Sequence, residues 1–296
     1  MCNVKRSRKR LYLVGFLFLI LLLRILYNQN NAITVTDFVI NSNKVPQSFE
    51  GYKIVQLSDL HNKLFGENQE KLTKKVEGLH PDLILVTGDL IDRRKYNEEP
   101  SIVLMQELVK IAPVYYVTGN HEWGSGKFLN SLQDKLIDLG VNVMRNSHDT
   151  IKKDEDEIYL IGIDDPTINT DESYADYNIA ESAIEDSMEG LGNKGSYKIL
   201  LSHRPELFSL YQKFDIDLIF SGHAHGGQIR IPFIGGLIAP GQGLFPEYIS
   251  GKYDEGNSTL IVNRGLGNSL FPQRILNKPE IILVTLTNEN STKVEN

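Results

Sequence analysis

With 296 residues, 41% apolar side chains and one cysteine, the chain can bury one sizeable core but cannot close an internal disulfide. Its formal charge is −7, and the six cations and no acid of residues 1–27 leave −13 for residues 28–296. So acidic a remainder argues against a nucleic-acid-binding face.

The N-terminus stands apart. Lys5, Arg6, Arg8, Lys9 and Arg10 precede an apolar run from Leu11 to Tyr27 that is broken only by Arg24. A cationic flank followed by such a run reads as a signal peptide or an uncleaved signal anchor. The 17 residues of 11–27 are at the short end for a spanning helix, and Arg24 can snorkel to the interface. Asn28-Gln29-Asn30-Asn31-Ala32 makes a poor cleavage site, so the expectation is a single-pass anchor. Residues 1–10 would then be cytoplasmic and the rest would lie on the extracytoplasmic side of the cell membrane. A cleaved signal is the alternative. Lys9-Arg10-Leu11 weakly resembles a twin-arginine export signal with lysine in the first place. Cys2 precedes the apolar run, is not a lipobox cysteine, and is assigned no function.

Beyond it, Asn28–Asn31 reads as a polar linker, Ile33–Ile40 as an edge strand and Asn41–Gly51 as a turn-rich connection. Strands and helices then alternate. Strands are expected at Lys53–Leu57, Asp82–Thr87, Val114–Thr118, Val141–Met144, Ile158–Ile163, Lys198–Ser202, Leu218–Ser221, Thr259–Asn263 and Glu280–Leu286. Helices are expected at Glu67–Glu77, Ser101–Ile111 and Lys127–Leu139, with Tyr174–Leu191 a partly helical, exposed excursion. That alternation indicates one layered α/β domain over 52–288, followed by a polar tail at 289–296.

Five segments place metal-binding side chains just past the carboxyl ends of strands, the edge where open α/β sheets bind ligands. They are Asp59-Leu60-His61, Gly88-Asp89-Leu90-Ile91-Asp92, Gly119-Asn120-His121-Glu122, Ser202-His203-Arg204-Pro205 and Ser221-Gly222-His223-Ala224-His225. As ligand positions they give Asp59, His61, Asp89, Asn120, His203, His223 and His225, enough for two divalent ions side by side. Two ions sharing a carboxylate is an arrangement that hydrolyses phosphate esters. Mixed oxygen and imidazole donors suit manganese, iron, zinc or nickel better than calcium. A lone histidine after a strand is usually a loop residue, but five of the seven histidines fall in these segments. His80 and His148 are left as structural. His121-Glu122 is not followed by a second histidine at helical spacing, so a zinc-protease reading fails, and no glycine-rich loop with lysine supports a nucleotide-binding P-loop.

In this order the segments resemble the calcineurin-like metallophosphoesterase superfamily, most closely its small bacterial membrane-associated branch, which includes UDP-2,3-diacylglucosamine hydrolase-like phosphodiesterases. The resemblance runs from about Tyr52 to His225 and more loosely through Asn263-Arg264-Gly265. It implies a four-layer αββα sandwich of two mixed sheets. It also implies that Asp59, His61 and His225 bind one metal, that Asn120, His203 and His223 bind the other, and that Asp89 bridges them. A water activated between the ions would attack phosphorus. His121 would serve as general acid or transition-state donor at the leaving oxygen, oriented by Asp92. Manganese is the expected metal, with iron or zinc next.

Other residues carry two readings each. Glu122 would support a ligand by hydrogen bonding. Asp164 and Asp165 are weaker candidates. Arg264 would contact phosphate or form a surface salt bridge. Ile229–Tyr248, rich in Gly, Pro and apolar residues, is either a packed loop or an apolar wall that accepts an acyl chain or touches the bilayer. The expected function is a membrane-anchored phosphoesterase acting on a phosphodiester or pyrophosphate, of a lipid or nucleotide-sugar substrate. A broad-range phosphomonoesterase is the first rival and a metal-holding scaffold without turnover the second.

Overall fold

The computed structural model describes residues 2–167, 176–192, 195–268 and 271–289. Met1 of the basic stretch, Tyr174 and Ala175 of the expected excursion and residues 290–296 of the polar tail lie outside them.

Helix α1 (Cys2–Asn31) takes in the whole apolar run, and Lys9–Asn31 is long and apolar enough to cross a membrane. The expected linker at 28–31 is instead its last turn. The chain then enters β1 (Thr34–Asn41), followed by β2 (Lys53–Leu57), α2 (Glu70–Glu77), β3 (Leu83–Thr87), α3 (Glu99–Leu108) and β4 (Val114–Val117). Short α4 (Asn120–Gly124), α5 (Phe128–Asp138) and β5 (Asn142–Val143) follow. The second half comprises β6 (Ser147–Lys153), β7 (Asp156–Gly162), α6 (Tyr177–Met188), β8 (Lys198–Leu201), α7 (Phe208–Tyr211) and β9 (Leu218–Ser221). Two small hairpins come next, β10 (Arg230–Ile231) with β11 (Gly235–Gly236) and β12 (Ile238–Ala239) with β13 (Gly243–Leu244). Strands β14 (Gly251–Glu255), β15 (Ser258–Val262) and β16 (Glu280–Thr287) complete the fold.

Two mixed six-stranded sheets result, ordered β1-β16-β2-β3-β4-β5 and β14-β15-β9-β8-β7-β6. Because side chains alternate across a strand, each sheet buries both faces. Val55, Leu57, Ile84, Val86 and Tyr116 pack with Leu72, Val76, Leu104, Leu108, Leu132 and Leu136 of the helices on one side. Ile54, Leu83, Leu85 and Val117 meet Ile158, Leu160, Ile199, Leu201, Leu218 and Phe220 between the sheets. Ile161, Leu200, Ile219 and Leu260 pack beneath Ala180, Ile184, Phe208 and Tyr211. Three apolar interfaces separate four layers, helices–sheet–sheet–helices, as the resemblance implied.

The differences from expectation have local causes. The helix expected from Glu67 starts at Glu70, because Asn68 and Gln69 hold left-handed backbone at φ 49° and 62° and divert the first turn. Helix α3 starts two residues early, with Pro100 in its first turn, where a missing N–H costs nothing. The segment read as an exposed excursion contains α6, capped by Asp176 accepting from the N–H of Ile179 at 3.0 Å. Its Ala180, Ala183 and Ile184 are buried against the second sheet. His148, left as structural, lies in β6, with Nδ1 2.7 Å from the Ser187 carbonyl.

Strand direction fixes where the helix end meets the sheet. Strands β2, β3 and β4 are parallel, whereas β16 runs against β2 and β1 runs with β16. Thr34, the start of β1, pairs with Glu280, and Ile282 pairs with Gln56 near the end of β2. Helix α1 therefore delivers the chain to the sheet edge at which β2, β3 and β4 end.

Candidate metal centre

The loops leaving β2, β3, β4, β8 and β9 converge at that edge. Gln56, a polar residue in an apolar strand, joins the two sheets beneath them: its Nε2 donates to Thr87 Oγ1 at 3.0 Å and to the Ser221 carbonyl at 2.9 Å. Asp59, His61, Asp89 and His225 place one ligand atom each within 4.8 Å of one another, and Asp89, His203 and His223 do the same. Asp89 belongs to both groups. Nε2 of His61 lies 3.0 Å from Nε2 of His225 and 3.6 Å from Asp89 Oδ2, and His225 Nε2 is 3.4 Å from Asp59 Oδ1. In the second group His203 Nε2 is 3.3 Å from Asp89 Oδ2, 3.3 Å from Asn120 Oδ1 and 3.2 Å from His223 Nδ1. So many buried lone-pair atoms facing one another have too few protons to share, and divalent cations fit them as hydrogen bonds do not.

Hydrogen bonds aim these side chains. His203 Nδ1 lies 2.7 Å from the Thr87 carbonyl, so that nitrogen carries the proton and Nε2 turns its lone pair to the cluster. Asp89 Oδ1 accepts the N–H of His121 at 2.8 Å, leaving Oδ2 to face both groups. The N–H of His223 donates to both oxygens of Asp59, at 3.2 and 3.1 Å. Glu122, fully buried, links two loops: it accepts the N–H groups of Asp89 and Gly119, each at 2.8 Å, and of Ile91 at 3.2 Å. The loops also carry unusual backbone. Asp59, His61, Asp89, His223 and His225 all have left-handed φ between 46° and 63°. Such residues cluster where a site over-determines the backbone.

Burial and charge set the ionisation of the site without cations. Burial pushes the Asp59 carboxyl up to about 6 and the His61 imidazole down to about 3. Burial also works to raise Asp89, but His203, His121 and His61 together hold it well below the usual carboxylate range. A bound cation would favour the ionised carboxylates and neutral imidazoles that ligation needs.

His121 is at the rim of the first group, its ring edge-on to His61 with centroids 4.5 Å apart. Its Nδ1 lies 3.4 Å from Asp92 Oδ1 and 3.3 Å from the N–H of Arg93. Asp92 is itself fixed by the N–H and Nε of Arg94, both at 3.0 Å.

Two supporting residues, Arg204 and Asn277, escaped the sequence reading, and Asp165 entered it only as a weaker candidate. Arg204, fully buried, donates from Nε to Asp165 Oδ2 at 2.6 Å, and its Nη1 lies 2.8 Å from His223 Nε2, holding that ring with Nδ1 toward the cluster. Asn277 Nδ2 donates to the carbonyl of His225 at 2.7 Å. Asp164 pairs with Arg145 at 2.6 Å, and Arg264 pairs with Glu280 at 2.6 Å, the salt-bridge alternative for that arginine. His80 and His148 belong to neither metal group.

The turns tolerate no added bulk. A Cβ at Gly222 would lie 1.9 Å from Ser58 Oγ and 2.4 Å from Asp59 Oδ2. Gly222→Ala is expected to push Asp59 out of position, costing roughly 1–3 kcal/mol of stability as overpacking does. The purified variant should also hold less metal. A variant with unchanged urea midpoint and metal content would contradict this account of the turn.

Known proteins share these features. The sequence model of the family described as calcineurin-like phosphoesterase matches residues 52–227. The chain is 32% identical over 270 residues to an uncharacterized metallophosphoesterase of Bacillus subtilis, YkuE, covering 89% of each chain. It is 28% identical over 261 residues to a transmembrane protein with metallophosphoesterase domain of Danio rerio, covering 85% of this chain and 57% of that one. It is 27% identical over 239 residues to the phosphodiesterase YaeI of Escherichia coli, covering 79% and 82%.

Proposed function

Because this chain belongs to the calcineurin-like phosphoesterase family, metal-dependent hydrolases of phosphoric esters, we propose that it is a dinuclear phosphodiesterase or pyrophosphatase anchored in a membrane by α1. The observation that carries this reading is the meeting of two buried ligand groups on one shared carboxylate, Asp89. Asp59, His61 and His225 hold the first cation, Asn120, His203 and His223 the second, and manganese is the metal we favour, ahead of iron or zinc. Two such cations, when bound, draw charge from the phosphoryl oxygens and acidify the attacking water.

The chain's own residues do the rest. Glu122 and the buried Arg204–Asp165 pair fix the loops and the His223 ring, so the ligands need little reorganisation. His121 holds a proton at the rim for the leaving oxygen, and Asp92 orients its ring. With α1 crossing the cell membrane and the domain on the extracytoplasmic side, the substrate class we favour is a lipid or nucleotide-sugar phosphodiester or diphosphate. The name of the Danio rerio relative supports the membrane reading and that of the Escherichia coli relative supports diester chemistry.

Assay of the purified chain with added Mn²⁺ on bis-p-nitrophenyl phosphate and p-nitrophenyl phosphate tests the proposal. Diester hydrolysis should exceed monoester hydrolysis. The reverse preference would make the protein a phosphomonoesterase. Inactivity on both, with two metals bound, would point to a narrow substrate or to the scaffold.

A further inference from the structure

We infer that the sheet edge carrying the metal centre faces the bilayer, and that the two hairpins after His225 enter it through Phe233, at the turn of the first, and Phe245, which directly follows the second. The inference rests on the membrane-anchored reading and adds the orientation of the site and the surface that touches lipid.

The first observation is the exit of α1. It hands the chain to β1 at the edge where β2, β3 and β4 end, the edge that carries Asp59, Asp89 and Asn120. The helix end is also fastened there. Asn30 Nδ2 donates to the Pro272 carbonyl and its Oδ1 accepts the N–H of Arg274, both at 2.8 Å. Gln273 Nε2 donates to the Leu26 carbonyl at 3.0 Å, and Lys63 Nζ donates to the carbonyl of Asn30. A spanning helix held in this way brings the membrane surface against this edge.

The second observation is what that edge presents. Residues 229–246 contain one cation, Arg230, and no acid, although residues 28–296 together net −13. Phe233 is fully exposed, and Ile234, Leu244 and Phe245 are each more than 60% exposed. Phe233 and Phe245 hold left-handed backbone at φ 68° and 53°, a conformation bulky residues rarely adopt. Exposed aromatic rings on strained backbone suit an apolar medium.

The third observation joins the two. Ile229 bridges to Ile275, and the N–H of Arg230 donates to the Ile275 carbonyl at 3.0 Å. The hairpins are therefore tied to the strip 271–276 that grips Asn30, whose Phe271 and Leu276 are also exposed. Helix end, strip and hairpins lie on one front beside His225, on which Phe233, Phe245, Phe271 and Leu276 are exposed. A second copy of the chain would have to cover this front without displacing the anchor, whereas a bilayer already meets α1 there.

The chain's single cysteine makes a direct test practical. In a Cys2→Ser background, Phe18→Cys in the anchor, Phe233→Cys, Phe245→Cys and Ile137→Cys are labelled with an environment-sensitive fluorophore. Ile137 is exposed near the end of α5, just before β5 begins at the opposite edge of the sheet. The full chain is reconstituted in phosphatidylethanolamine–phosphatidylglycerol vesicles with and without acyl-chain nitroxide lipid. Quenching at Phe233→Cys and Phe245→Cys should approach that at Phe18→Cys and exceed that at Ile137→Cys. If Phe233→Cys and Phe245→Cys are quenched no more than Ile137→Cys while Phe18→Cys is quenched, the docking surface is overturned and the anchor stands. An unquenched Phe18→Cys removes both.

Discussion

Asp89→Asn is expected to abolish dinuclear binding and to lower kcat/KM on a diester substrate roughly 10³-fold or more, about 4 kcal/mol of barrier. The reason lies in one atom. Asp89 Oδ2 is 3.6 Å from His61 Nε2 and 3.3 Å from His203 Nε2, so it faces the cation positions of both groups. Its other oxygen is taken by the N–H of His121. An amide of the same shape keeps that acceptor, or turns and loses it, but in either case it removes the negative charge that two neighbouring cations would share. Asp59, the other carboxylate of the first group, accepts from the N–H of His223 and cannot serve both groups from there. Because the substitution is isosteric, the sandwich should persist, and near-native circular dichroism should accompany metal content falling from two to one or fewer. Retention of two metals with turnover within tenfold of the parent would show that Asp89 is not the shared ligand.

The strands were readable because most are buried on both faces. Leu83–Thr87, Lys198–Leu201 and Leu218–Ser221 are short, nearly continuous apolar runs bounded by polar or turn residues, the pattern of central strands in a layered sheet. The candidate ligands were readable because each follows such a run directly. What could not be read had no such pattern. Strands β6 and β14 lie at sheet edges and are polar, so no alternation marks them. Helix α6 turns a face of small residues, Ala180, Ala183 and Ser187, to the core, which gives a weak periodic signal.

The pairing of Arg204 with Asp165 was hidden for a different reason. Arg204 and Asp165 lie 39 positions apart and meet only when β7 and β8 pair. Neither residue type announces burial, and a buried arginine is costly unless a carboxylate answers it. The left-handed backbone at five of the seven candidate ligands was equally invisible, although Asp and His tolerate that region better than branched residues do. Gln56 offered the one sequence clue to the inner framework, a polar side chain within Lys-Ile-Val-Gln-Leu, and it joins the two sheets beneath the site.

His121→Asn should separate chemistry from metal binding. The ring stands edge-on to His61 but neither metal group includes it, so two metals should remain bound. The backbone N–H that aims Asp89 is unchanged by the substitution. What disappears is the proposed proton carrier. Burial works against the imidazolium, but Asp89, Asp92 and Glu122 raise its pKa above the ordinary histidine value. Asp92 is held below the usual carboxylate range: burial opposes this, and hydrogen bonds from His121 and Arg94 prevail. The pair therefore favours a negative carboxylate behind a ring that holds its proton more tightly than an ordinary histidine. Loss of a positioned general acid costs about 10²–10⁴-fold. The loss should be larger for alkyl or sugar leaving groups than for p-nitrophenolate, which departs without a proton. Asp92→Asn should cost less and act through the ring: with a raising influence removed, the His121 pKa falls and the basic limb of the pH–rate profile moves to lower pH. Metal loss in His121→Asn would make the residue structural. An equal rate loss across leaving groups would make its contact with the phosphoryl group, rather than proton donation, its contribution to the reaction.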